Sequence, residues 1–323
     1  MKLKPGVLFF CGFAVLAASG SAQAWDALPV FNQGTFARSF ALPVLGQSRV
    51  LGASQSELRT DYDVITEYYA DSNAHENLVM DGETSRFAFG YRRGFGHDLE
   101  WNLELPVLIV GGGFMDHYVD EWHSFFGLPD GGRSEAPQNR YLYLYQRDGV
   151  TLLDAEHSTT TLGDARASIG WQAAPGLALR GMLQLPTGRR SRLTGGNPGI
   201  ALWGDQALPF AAGSDFDGFV SAGGNLEQRS SVLSSLQRRW AAFAGAGLGY
   251  RLTTALELRS EIYAHTPLFQ DTELSGLKKP GVQLTLGGSY QFSPGLGFDV
   301  VFQEDAATNS SPDFSLHLGL VYR

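Results

Sequence analysis

The residues best suited to chemistry crowd into one short stretch. Between positions 116 and 133 the chain carries Asp116, His117, Asp120, Glu121, His123, Ser124 and Arg133. Asp116, Asp120 and His123 stand at i, i+4 and i+7, so a helix would present them on one side. Carboxylate and imidazole donors at that spacing suit a small ligand, or a cation such as Zn²⁺ or Ca²⁺. A second chemistry is hydrolysis by an acid, His123 and a serine. Neighbours on a helix point about 100° apart, so Ser124 cannot pair simply with His123 and a distant serine would be needed. The third reading is structural, with the acidic and histidine side pairing with arginines of the barrel wall. Asp116, His117, Asp120, Glu121, His123 and Arg133 are therefore candidate ligand-binding residues. No catalytic residue, metal ligand or cofactor is assigned.

The element that must carry them is a helix. Met115, Val119, Trp122 and Phe126 fall at i, i+4, i+7 and i+11, one apolar stripe. The spacing predicts a helix over residues 114–126 within a loop over residues 111–139. Gly111, Gly112 and Gly113 allow a sharp entry, and Gly127 with Pro129 stops the helix.

The rest of the chain repeats a different period. In the last ten residues Phe314, Leu316, Leu318, Leu320 and Tyr322 share one face, while Ser315, His317, Gly319, Val321 and Arg323 share the other. Strands with a similar two-faced pattern recur. Their polar faces carry Arg86, Glu100, Glu104, Asp164, Arg166, Arg180, Glu257, Arg259, Glu261, Asp299 and His317. Strands of about 10 residues suit a tilted crossing of a bilayer. Connections near residues 93–98, 174–176, 252–254 and 293–295 are short. Those over residues 111–139, 187–199, 266–278 and 304–313 are long and polar. Short periplasmic turns and long outer loops are the outer-membrane arrangement. Trp101, Trp171, Tyr91, Tyr250, Tyr290 and Tyr322 fit interfacial girdles.

These features predict an all-β, antiparallel transmembrane β-barrel of about 12 strands, with 10 to 16 allowed, over residues 48–323. Residues 111–139 form its helix-bearing outer loop, and the listed charges line the lumen. The helix is expected to pack across the mouth or into the lumen. Strands are unclear in residues 49–70, 140–153 and 200–226. A soluble periplasmic β-sandwich also alternates, but opposite charges within one strand fit a confined lumen better.

The first 24 residues read as a signal peptide: Lys2 and Lys4, an apolar core from Val7 to Ala18, then Ala22-Gln23-Ala24. Cys11 lies in that core, so thiol catalysis and disulfides are excluded from the mature chain. Residues 25–47, rich in Phe and Pro, are a lead-in or a small plug. The formal charge of −9 becomes −11 without Lys2 and Lys4, which argues against nucleic acid as a partner. No apolar run after residue 24 reaches the length of a membrane-spanning helix.

The stretch Gly113-Phe-Met-Asp-His-Tyr-Val-Asp-Glu-Trp-His-Ser-Phe-Phe-Gly-Leu-Pro-Asp-Gly-Gly-Arg133, with Asp81-Gly-Glu-Thr-Ser-Arg86 before it, resembles an uncharacterised family of proteobacterial outer-membrane proteins. That family is known only as a domain of unknown function. The resemblance implies an outer-membrane barrel and carries over no site residue. Expected partners are outer-membrane lipid and lipopolysaccharide, the barrel-assembly machinery and a small solute; the basic cluster Arg189, Arg190 and Arg192 reads first as a solvated loop and second as a contact for lipopolysaccharide phosphates. A monomer is expected. Three functions remain open: a channel or binding protein for a small solute, a filled barrel with an envelope role, and a lipid-modifying or hydrolytic enzyme.

Overall fold

The computed structural model describes residues 27–127, 132–229, 232–306 and 310–323. The signal peptide expected at residues 1–24, Trp25 and Pro129 lie outside the described residues. Among those described, the strands are β1 (Ser56–Ser72), β2 (Glu76–Gly96), β3 (Leu99–Gly111), β4 (Leu142–Arg147), β5 (Val150–Ala155), β6 (Thr159–Leu162), β7 (Ala165–Ala174), β8 (Leu177–Leu185), β9 (Gly199–Ala207), β10 (Phe216–Glu227), β11 (Trp240–Arg251), β12 (Leu256–His265), β13 (Gly281–Ser293), β14 (Leu296–Asp305) and β15 (Phe314–Tyr322). Helix α1 spans Asp116–Phe126 and the short α2 spans Ser275–Lys278.

The wall is a closed antiparallel barrel of twelve strands. β15 pairs with β14 on one side and β1 on the other, in register from Leu58↔Tyr322 to Thr66↔Phe314. The final alternating strand therefore closes the cylinder. The two short strands β6 and β7 share one place, pairing with the outer and inner halves of β3. Gly163 and Asp164 lie between them. Closure leaves no unpaired edge in the wall, which an apolar surrounding requires.

Outward positions are apolar, and large ones such as Leu202, Leu248, Leu286 and Leu320 are exposed. Aromatics gather at the strand ends beside the short turns. Tyr91 meets Trp101 at 5.2 Å between ring centroids, and Phe216 meets Tyr250 at 4.8 Å. With Trp171, Tyr290 and Tyr322 these form a girdle at the periplasmic end. At that end Arg323 pairs with Glu57 at 2.7 Å. No helix among the described residues is long and apolar enough to cross a membrane.

Three regions resolve the unclear sequence. β1 and β2 are 17 and 21 residues long, more than a bilayer crossing needs. Their outer ends rise beyond β3, where β2 changes partner from β3 to β4. The β4–β5 hairpin, within residues 140–155, thus extends the rim of the wall and is not a thirteenth crossing. Residues 199–227 supply β9 and β10.

The lumen departs from its expected polar character. It holds an apolar core of Phe31, Phe36, Phe40, Leu42, Leu45, Tyr143, Tyr145, Phe219, Phe269 and Leu277, which fills the outer half and reaches inward as far as Phe219 on β10. The first five come from the N-terminal segment, and the last two from the β12–β13 connection. Phe36 packs edge-on against Tyr143 at 6.0 Å and Phe269 at 5.8 Å.

Candidate functional site

Residues 27–51 run through the barrel interior and form no strand of the wall, with a single β-bridge at Gln47. Extended backbone buried in this way must place its N–H groups somewhere. Here wall carboxylates take them. Leu28 N–H donates to Glu261 at 2.9 Å, Thr35 to Glu67 at 3.0 Å, Gly46 to Asp205 at 2.8 Å and Leu51 to Glu100 at 2.7 Å; Ala41 donates to Glu227. These carboxylates sit on β12, β1, β9, β3 and β10, so the segment is held from all round the wall. Arg180 on β8 completes the grip. It pairs with Glu100 at 2.5 Å and Asp205 at 3.1 Å, and donates to the Gln47 carbonyl at 2.7 Å and the Arg49 carbonyl at 3.0 Å.

The inward charges are knitted to one another. Arg86 joins Asp63 at 2.7 Å and Glu104 at 2.5 Å. Arg59 joins Asp61 at 3.2 Å and Asp299 at 2.8 Å. His317 meets Asp63 at 2.7 Å, and Arg259 meets Glu257 at 3.1 Å. Arg166 lies 4.0 Å over the ring of Phe31, a cation–π contact. Asp164 accepts N–H groups from Gly188, Gly196 and Asn197, and so shapes the outer β8–β9 loop.

Beside the segment lies a row of cavities. The largest, about 200 Å³, opens at the periplasmic mouth between Glu57, Arg59, Arg92, Arg259, Asp299 and Arg323. A second, about 70 Å³, shares Gln47, Glu57, Arg59 and Arg92 with it. A third, about 30 Å³, shares Glu104 and Arg166 with the second and reaches Asp164. Arg59 and the Glu104–Arg166 level thus separate successive chambers.

The helix in the long loop corrects one expectation. α1 runs neither across the mouth nor into the lumen. It lies on the outside of the wall. Trp122 stacks at 5.9 Å on Phe302 and meets Phe314, both outward-facing residues of β14 and β15, and its indole N–H donates to Glu304 at 2.5 Å. Amphipathicity says that a helix has an apolar face, not which apolar surface receives it, and the outer wall is as apolar as any core. The exit is built by glycine. Gly113 takes φ +71°, and a Cβ there would strike the Glu83 side chain, whose carboxylate receives the Phe114 and Met115 N–H groups. Gly127, at φ 66°, caps the far end.

The six loop candidates do not converge on one site. Arg133, buried, holds Asp116, Asp120 at 3.6 Å and Asp313 at 3.3 Å. Asp116 also accepts the Asn139 N–H, tying helix to loop return. His117 and Glu121 are exposed and 3.4 Å apart. His123 is buried against the wall while Ser124 is exposed. No group of three or more His, Cys, Asp or Glu among the described residues is placed to hold a metal ion. Sequence reasoning missed Asp313, Glu67, Asp205 and Glu227, which lie beside turns or in strands whose alternation was weak.

Asp313 confers a pH dependence on this loop. Burial pushes its carboxyl up from 3.8 to about 7, against the pull of Arg133. A carboxyl raised in the docked state favours docking when protonated. That contribution is full below the ordinary carboxylate range and is lost as pH rises toward 7. Protease cleavage in residues 127–139 should be slower at pH 5 than at pH 8, after correction for the protease's own profile. Asp313→Asn should remove the difference.

A sequence profile for proteins of unknown function, DUF3187, matches residues 4–323. The chain belongs to the DUF3187 family. Among solved structures, an outer membrane channel from Pseudomonas putida F1 is similar to this DUF3187 protein at 13% identity and a TM-score of 0.56. That match covers 86% of this chain and 98% of the other. The translocator domain of the autotransporter NalP from Neisseria meningitidis matches at 12% identity over 82% and 88%, with a TM-score of 0.46. No curated protein matches. At such identity the first likeness is one of fold, an outer-membrane-type barrel.

Proposed function

We propose that this protein is an outer-membrane channel for a small solute, closed at rest by residues 27–51. The observation that carries this reading is the row of cavities along the segment, from the periplasmic mouth to Asp164. A barrel filled only for strength has no reason to keep abutting chambers lined by charge. The path is narrow and carries both signs, so it suits a small polar solute. The residues proposed to meet it are Arg59, Arg92, Glu104 and Arg166. No catalytic role is proposed for any residue.

A filled barrel with an envelope role is the second reading, favoured by the five carboxylates that hold the segment's backbone. Planar-bilayer recording separates the two. The channel reading expects brief, small openings from the full chain. It is abandoned if both the full chain and a chain lacking residues 27–47 stay silent while folded as heat-modifiable barrels.

A further inference from the structure

The outward position of α1 leaves part of its surface unaccounted for. Four edges can be distinguished around its axis. Trp122 turns to the wall, and the buried Val119 lies beside it on the same side of the helix. Asp116 and Asp120 turn toward Arg133 and the β14–β15 loop, which is the outer side. His117, Glu121 and Ser124 turn away from the barrel into the open. At about 100° per residue, the remaining edge, opposite the aspartates, belongs to Tyr118 and Phe125. Phe114 lies just before the helix. All three are solvent-exposed: Phe114 is 56%, Tyr118 59% and Phe125 82% exposed.

The level of the helix is fixed by what it touches. Trp122 rests on Phe302 and bonds to Glu304. On the outward face of β14 the series runs Phe298, Val300, Phe302, Glu304. Apolar wall therefore gives way to a carboxylate beneath the helix. That is the upper limit of the lipid-facing band. An edge opposite the outer-loop aspartates points back down toward that band.

We propose that α1 is an interfacial anchor, with Phe114, Tyr118 and Phe125 inserted among the acyl chains of the outer leaflet. The apolar edge is continuous with the lipid-facing wall, which names its occupant. The acidic edge faces Arg133 and the outer loops, where charge stays wet. A helix lying at the boundary with aromatics below and charges above has the arrangement of an in-plane membrane helix. The Arg133 cluster is then a positioning device, fixing the rotation of the helix. The loop's most distinctive residues serve that rotation, whether or not the lumen conducts.

The test uses single cysteines, since the mature chain has none. Phe125→Cys, Tyr118→Cys and, as controls, Glu121→Cys and Ser124→Cys are labelled with an environment-sensitive fluorophore. Each protein is folded into phosphatidylcholine vesicles with lipopolysaccharide, and heat-modifiable migration checks the barrel. At positions 118 and 125 emission should shift to the blue. It should be quenched several-fold more by doxyl-labelled phosphatidylcholine than by aqueous iodide. Positions 121 and 124 should show the reverse. Iodide quenching at 125 equal to that at 124 overturns the proposal. So does a Phe125→Cys disulfide dimer forming in place of lipid quenching, which would assign the edge to a second copy.

Discussion

Removing residues 27–47 is expected to turn a nearly silent barrel into a steadily conducting one. Twelve strands enclose more space than side chains from the wall alone fill, and here the excess is taken by a segment rather than by larger wall residues. That segment contributes Phe31, Phe36, Phe40, Leu42 and Leu45 to the apolar core that seals the outer half. Without it, Tyr143 and Phe269 lose their edge-on partner Phe36, and Glu67, Asp205, Glu227 and Glu261 lose their backbone donors. Water then enters a lumen lined by charges of both signs. Unitary conductance should rise on the order of ten-fold, with added noise from the β12–β13 connection, whose Phe269 and Leu277 no longer have a surface to pack on. The barrel itself should survive, because its ladder, from Leu58↔Tyr322 round to β14, owes nothing to the segment. Brief, small openings that persist unchanged in the deleted chain would mean that residues 27–47 do not close the pore.

The wall was legible because a strand between lipid and lumen must alternate, and the period shows in sequence wherever the two environments differ. Leu256–His265 is such a strand, with Glu257, Arg259 and Glu261 inward and Leu258 and Ile262 outward. Legibility failed where they do not differ. In β4 both faces are apolar, since Tyr143 and Tyr145 enter the lumen core while Leu142 and Leu144 face out. In β9 and β10 glycine and alanine dilute the contrast. The N-terminal segment has no ladder and hence no period; only its phenylalanines and prolines hinted at burial. The loop cluster misled for a related reason. Asp116, Asp120 and Arg133 have the spacing of a ligand site, yet an ion-pair clamp requires the same spacing. Arg133's further partner, Asp313, lies 180 residues away in sequence and only pairing of β15 with β1 brings it near.

Arg180→Met should be the most damaging single substitution in the lumen. Met keeps the length of the stem and removes the charge. Glu100 would retain Arg92 at 2.8 Å. Asp205, fully buried, would retain Ser221, Trp203 and the Gly46 N–H but no cation. An uncompensated buried carboxylate costs about 3–5 kcal/mol, and the Gln47 carbonyl loses its donors besides, while the Arg49 carbonyl keeps Arg92 at 2.6 Å. Urea unfolding in detergent micelles should register a loss of that size. The segment, loosened at Gln47 but still held at residues 48–51, should also raise open probability in bilayer recordings. Adding Asp205→Asn tests the cause. The amide keeps hydrogen bonding without the charge, so the double variant should recover much of the stability while the openings persist, because the grip on Gln47 is still missing. If Asp205→Asn restores nothing, the damage comes from lost packing around the stem. If it restores stability and closure together, then Gln47 is held by something other than Arg180, and the inner latch of the plug lies elsewhere.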